Sequence, residues 1–297
     1  IAGTGFGVIL AIVGRAASDE IRSLVLGIAT ASGSLGQVIG PPIAAALLTQ
    51  MNWSSVFLIF AAAILCVIFL LPFLRSKPVA SKSEVEETMS QMLFKAAKDP
   101  TYSLIFLGFF SCGYQLGFIT AHFPAFITEI CGPIAAGGML DSIGVSTTSI
   151  LGGVAIGVIG IANIIGTIGA GLLGKHFPKK YLLAMVYTGR TLIAAWFIMT
   201  PMTPTTVVIF SFLMGLLWLA TVPLTSGLIA HIYGLRYMGT LYGIVFFSHQ
   251  LGGFLGVWLG GALYDIYGNY TIVWWVGIGV GALSAILHLP IREAPLK

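Results

Sequence analysis

Residues 147–180 read TTSILGGVAIGVIGIANIIGTIGAGLLGKHFPKK. From Thr147 to Gly174 no side chain carries a charge, and then Lys175, Lys179 and Lys180 arrive together with His176. As a helix the uncharged run is about 42 Å long at 1.5 Å per residue, more than the ~30 Å hydrocarbon core of a bilayer. A stretch of this kind reads as a transmembrane helix, and the basic cluster marks the side on which lysine and arginine are retained.

The same pattern recurs outward in both directions. Apolar runs at 23–48, 53–74, 101–127, 181–199, 205–232, 239–265 and 270–290 flank the one at 147–175. The gaps between them alternate in charge. Arg15 and Arg22, five cations between 75 and 98, the 175–180 cluster, Arg236, and Arg292 with Lys297 fall in one set of gaps. The other set, near Asn52, at 129–146, near Pro201 and near Asp265, holds no Lys or Arg. Thirteen of the fourteen basic residues therefore lie on one side, and Arg190 falls inside a span. The expected fold is all-α: a polytopic helical membrane bundle in the inner (plasma) membrane, with the basic loops and the C-terminus cytoplasmic.

Composition agrees. The chain of 297 residues is 57% hydrophobic and 8% charged, with a mean hydropathy of +0.99, whereas soluble domains carry roughly 25% charged residues. The net charge of +4 belongs to the loops and does not point to nucleic acid. Cys66, Cys112 and Cys131 have neither disulfide nor metal spacing, and Cys66 and Cys112 read as small apolar core residues. No metal and no cofactor is expected. Gly3-Thr4-Gly5 lacks the strand that a dinucleotide loop needs, and no phosphate-binding P-loop is present.

The chain also repeats itself. A shift of 216 residues places Gly27-Ile28 on Gly243-Ile244, Ser32 on Ser248, Leu35-Gly36 on Leu251-Gly252, Gly40 on Gly256 and Ala46-Leu47 on Ala262-Leu263. Parallel repeats of this kind are typical of transporters made of two six-helix halves. The expected division is 1–74 as the rest of an N-terminal half, 75–100 as a cytoplasmic linker, 101–290 as a six-helix C-terminal half and 291–297 as a cytoplasmic tail. The first apolar run, at 1–14, is shorter than a span, so three helices and part of a fourth are expected upstream. Glycines four residues apart (Gly36/Gly40, Gly153/Gly157, Gly252/Gly256/Gly260, Gly277/Gly281) suggest close helix packing. Pro41, Pro42 and Pro223 suggest kinks.

Several strings resemble the major facilitator superfamily, and within it the bacterial branch related to monocarboxylate porters and oxalate/formate antiporters. Residues 171–180 resemble a degenerate copy of the G-x-L-x-D-R-x-G-R-R loop, with Lys175 at the acidic position, Pro178 at the second glycine, and Lys179 and Lys180 as the closing basic pair. Gly36-Gln37-Val38-Ile39-Gly40-Pro41 resembles the G-x-x-x-G-P signature of the fifth helix. The segments 218–227 and 239–261 are similar to the tenth and eleventh helices of that branch. The resemblance implies a secondary transporter with a midplane site between two rocking halves. Lys179 and Lys180 would belong to its cytoplasmic gate.

Counting depth from the basic end puts Arg190, His249 and Thr221 in one layer, with Asn163 and Gln37 somewhat beyond it and Gln115 contributed by the run at 101–127. These six are the candidate substrate contacts. A charge at the centre of a membrane helix costs at least ~2.5 kcal/mol on insertion scales. No Asp or Glu shares the Arg190 layer, so its partner is expected to be a backbone carbonyl, an upstream residue or a bound anion. A guanidinium holds a carboxylate through two parallel hydrogen bonds. Against this, the resemblance places the helix carrying Arg190 outside the cavity-lining set. His249 titrates in the range useful for proton coupling, and His122 is a candidate outer anchor. The expected function is secondary active transport of a small, monocarboxylate-like organic anion, coupled to protons or run as exchange. The alternatives are a drug or metabolite efflux antiporter and a non-transporting membrane sensor. Too few carboxylates and histidines cluster for a membrane enzyme.

Overall fold

The computed structural model describes residues 6–48, 50–69 and 88–296. Twelve helices are defined among them: α1 (Phe6–Ala16), α2 (Arg22–Leu48), α3 (Trp53–Cys66), α4 (Met89–Lys98), α5 (Pro100–Ile130), α6 (Met139–Ser142), α7 (Thr148–His176), α8 (Lys179–Met199), α9 (Pro204–Leu217), α10 (Thr221–Tyr233), α11 (Met238–Tyr267) and α12 (Thr271–His288). Among the described residues, seven stretches are long and apolar enough to cross a membrane: 22–40, 100–130, 148–176, 179–199, 204–233, 238–267 and 271–288. The expected span at 53–74 is described only as the helix α3 and a short continuation. Residues 70–87, which include the first half of the expected linker, lie outside the described residues, as do Gly3-Thr4-Gly5 and the surroundings of Pro41 and Pro42.

Local chemistry sets the helix ends. Asp99 accepts the Thr101 N–H at 2.9 Å and Pro100 opens α5, where its missing donor costs nothing. Thr203 and Thr206 cap α9 reciprocally, again with a proline at the first position. Gly268, in the left-handed region at φ 68°, ends α11.

The expected span at 205–232 is found as the stretch 204–233, built of two helices, α9 and α10, with an interruption at Trp218-Leu219-Ala220. The reason is Pro223, which has no N–H to give to the Leu219 carbonyl. The Val222 N–H reaches that carbonyl at 3.0 Å, and the Leu219 N–H turns to the Asn163 side chain at 2.8 Å. Interrupted membrane helices persist only where neighbouring groups satisfy the freed backbone, and Asn163 does so here.

Helix α5 runs through the middle of the later helices, against α11, α12 and α7. Its seam with α11 is made of glycines. A Cβ on Gly252 would overlap the Phe110 carbonyl, and one on Gly256 would overlap that of Tyr114. Gly36, Gly40, Gly153 and Gly157 share the four-residue spacing, yet nothing lies within 4 Å of an added Cβ on any of them. Spacing alone therefore did not separate packed glycines from open ones.

The early helices join the later ones along a second seam, α2 on α7 and α1 on α11. A Cβ on Gly27 would stand 2.6 Å from the Thr167 carbonyl, and one on Gly171 would stand 2.8 Å from that of Ser23. The outer surface is apolar: Phe57, Leu58, Leu192, Phe254 and Trp258 are all more than half exposed, as expected of side chains facing lipid.

Candidate functional site

Arg190 sits near the middle of α8 and is 0% exposed. Among the described residues its hydrogen-bond partner is a thiol. Nη1 donates to Cys112 Sγ of α5 at 3.4 Å, and the Tyr187 ring lies 5.9 Å from the guanidinium carbon. Thr221 Oγ1, at the first residue of α10 just past the helix break, lies 3.2 Å from the same sulfur. Arg190, Cys112 and Thr221 thus form one buried cluster drawn from three helices. Arg190 Nε and Nη2 have no partner among the described residues. A thiol is a weak acceptor, so the guanidinium keeps most of its hydrogen-bonding capacity unspent. A buried cation in that condition costs several kcal/mol until a counter-charge reaches it.

More polar groups on α8, α10 and α11 are buried and unspent. The Tyr187 and Tyr242 hydroxyls and Thr225 Oγ1 are buried without a partner among the described residues. On α11, the His249 ring stacks on Phe246 (5.2 Å, 7° between planes) and lies 5.1 Å from Phe109. Its Nδ1–H donates to Gln250 Oε1 at 3.2 Å, its Nε2 is buried without a hydrogen-bond partner among the described residues, and the ring is within electrostatic reach of Cys112 and Arg190. Arg190, Thr221 and His249 therefore do share a layer, with Cys112 at its centre. Cys112 was legible by depth alone, about 17 Å along α5, but cysteine in an apolar run reads first as packing.

The other candidates lie elsewhere. Gln115 Nε2 donates to the Gly277 carbonyl at 3.1 Å, tying α5 to α12. Asn163, also 0% exposed, gives its amide to Ser34 Oγ of α2 at 2.6 Å and accepts the Leu219 N–H. It joins α2, α7 and the α9/α10 break. Gln37 is half-buried on α2. His122 bonds the Val257 carbonyl at 2.9 Å and packs beside Tyr270.

Lys179 and Lys180 engage the tail. Their backbone N–H groups, at the start of α8, donate to Glu293 Oε1 and Oε2 at 3.0 and 3.1 Å. Lys179 Nζ stands 3.8 Å from Oε1, and Lys180 Nζ bonds the Leu289 carbonyl at 3.3 Å. Pro178 precedes α8 and supplies no side-chain cap; a carboxylate more than a hundred residues away does, at the positive end of the helix dipole. No local signal in the sequence announced Glu293.

Known proteins share this arrangement of helices. The chain is similar to the solved fucose:proton symporter FucP of E. coli, with a TM-score of 0.67 at 14% identity over 95% of this chain and 72% of that one. It is similar also to FucP in the outward conformation, with a TM-score of 0.68 at 14% identity over 95% of this chain and 71% of that one. In sequence it is 27% identical over 282 residues to YcxA, an uncharacterized MFS-type transporter of Bacillus subtilis (strain 168); the match covers 91% of this chain and 64% of that relative. The family model of the Major Facilitator Superfamily matches residues 1–257, and the chain belongs to that superfamily.

Proposed function

We propose that this chain is part of a secondary active transporter that moves a small organic anion, of monocarboxylate type, by alternating access. The observation that carries the reading is Arg190: a fully buried guanidinium that, among the described residues, leaves Nε and Nη2 unspent and has a thiol as its one hydrogen-bond partner. A carboxylate offers two acceptor oxygens at the spacing of that fork and the charge the site lacks. Because Arg190 is sealed, the anion reaches it only when α10 or α11 moves, and the broken α9/α10 segment supplies a place to bend. His249, beside the cluster, is the group suited to carry a coupled proton. On this reading the protein sits in the inner membrane with its basic loops cytoplasmic, as two six-helix halves joined through 75–100.

The test is uptake of labelled small carboxylates into proteoliposomes, with and without an inward proton gradient and with and without internal carboxylate. Saturable uptake driven by the gradient supports symport, and uptake that needs internal carboxylate supports exchange. Loss of uptake in Arg190→Ala and Arg190→Lys, with melting behaviour retained, ties transport to the guanidinium fork. Full uptake in Arg190→Lys removes Arg190 from the site. No carboxylate uptake at all sinks the anion reading and favours efflux of a larger amphipathic compound.

A further inference from the structure

At the basic end of the bundle, far from Arg190, a basin of about 890 Å³ opens across the seam between the early and later helices. Its lining includes Arg15 at the end of α1, Arg22 at the start of α2, Lys175 at the end of α7, Lys179 of α8 and His231 of α10, against the single carboxylate of Asp19. Two of the four Arg and Lys side chains are committed. Arg22 is paired with Asp19 and donates to the Gly14 and Ala17 carbonyls at 2.8 and 3.1 Å, and Lys179 faces Glu293. Arg15 and Lys175 are not: no hydrogen bond or ion pair holds either among the described residues, and Arg15 Nε is buried without a partner. Ser23, also in the lining, is 6% exposed, and its hydroxyl is unpartnered too. The basin thus presents a neutral donor and two unspent cations from opposite sides of the seam, at the level of a helix end. Like charges lining one basin repel, and an anion between them relieves that repulsion.

We propose that this basin binds a phosphate-bearing anion, held by Arg15, Lys175 and the Ser23 hydroxyl. Phosphate suits the site because it presents several acceptor oxygens to donors arriving from different directions and carries more than one negative charge. Its source is either an anionic lipid headgroup, which lies at the depth of these helix ends, or a soluble phosphate compound. Gripped from both sides of the seam, the anion favours the arrangement in which Gly27 and Gly171 touch, because a ligand shifts a population toward the state it binds better. That last consequence rests on the alternating-access reading; the binding itself does not.

The experiment is thermal melting of the purified protein in nanodiscs. One arm compares phosphatidylcholine alone with phosphatidylcholine doped with phosphatidylglycerol. The other adds pyrophosphate to phosphatidylcholine discs. A melting rise in the first arm identifies a lipid headgroup, and a saturable rise in the second a soluble phosphate. In Arg15→Gln/Lys175→Gln the midpoint concentration should climb at least about tenfold, as loss of charge-assisted hydrogen bonds implies. Ser23→Ala, a milder change, should move it in the same direction, while Lys98→Gln, an exposed cation elsewhere, should not move it. The unliganded melting temperature of each variant reports whether it folds. No rise in either arm overturns the proposal, as does an equal effect of Lys98→Gln. Carboxylate uptake is measured in parallel: if it is absent while the melting response persists, the transport reading has failed and the site has not.

Discussion

Arg190 and Asn163 are both completely buried polar side chains in adjacent membrane helices, yet they behave oppositely. Asn163 spends its amide on Ser34 and its carbonyl on Leu219, so it holds a broken helix together. Arg190 spends one nitrogen on Cys112 and keeps two. Asn163→Ala should therefore act on stability. It strands the Leu219 N–H in a dry interior and leaves Ser34 Oγ only its bond to the Thr30 carbonyl, at a cost of about 1–3 kcal/mol, visible as a lower melting temperature in detergent. Arg190→Ala should act on transport, removing saturable uptake while leaving the melting temperature unchanged or higher, because it also removes a buried cation. Cys112→Ser keeps an acceptor of similar shape beside Arg190. If Cys112 matters only as that acceptor, uptake in Cys112→Ser falls by less than about tenfold, equivalent to less than about 1.4 kcal/mol; a complete loss assigns the thiol itself a role.

Helices α5 and α11 meet backbone to backbone because glycine leaves no Cβ between them. Gly256→Leu drives a side chain into the Tyr114 carbonyl and should cost at least about 1–3 kcal/mol as overpacking, read as a fall in melting temperature. Gly36→Ala is the matched control. Nothing stands within 4 Å of its Cβ, and alanine is the better helix former by up to about 1 kcal/mol, so the melting temperature should hold or rise. The repeat is legible at this scale as well: α2 begins at Arg22 and α11 at Met238, the 216-residue shift seen in the sequence. What the repeat did not show is that the two helices pack differently. In α11, Gly252 and Gly256 are closed against α5, while their counterparts Gly36 and Gly40 are open.

Across the whole molecule, the basic end is where distant parts of the chain converge. The tail returns Glu293 to the start of α8, and the Leu296 N–H reaches the Ile232 carbonyl at 2.7 Å. Glu293→Gln keeps the shape of the cap but loses its charge and one of its two acceptor oxygens, so it should lower stability by at least about 1 kcal/mol, more at low salt than at high salt; an effect wholly independent of salt argues against a charge-based latch. The α2/α7 seam is the other convergence. Gly171→Leu forces the helices apart at Ser23 and Gly27, and uptake should fall at least about tenfold, a barrier change of about 1.4 kcal/mol, while the α5/α11 core stays intact. Near-normal uptake would show that this seam need not close during transport.

The sequence by itself determined the class. Apolar run length and the alternation of basic gaps follow from the thickness of a bilayer and the cost of moving charge across it, and neither depends on which helix touches which. It also determined the layer holding Arg190, His249 and Thr221, because depth along a helix is a matter of counting. Only the tertiary structure decided partnership. Cys112 beside Arg190, Asn163 in the break before Pro223, Glu293 on α8, and Arg15 facing Lys175 across a basin all join residues far apart in the chain. Which face of a helix meets which neighbour is set by packing between helices, and in lipid, where every helix is apolar nearly all round, the hydrophobic pattern carries almost no record of it.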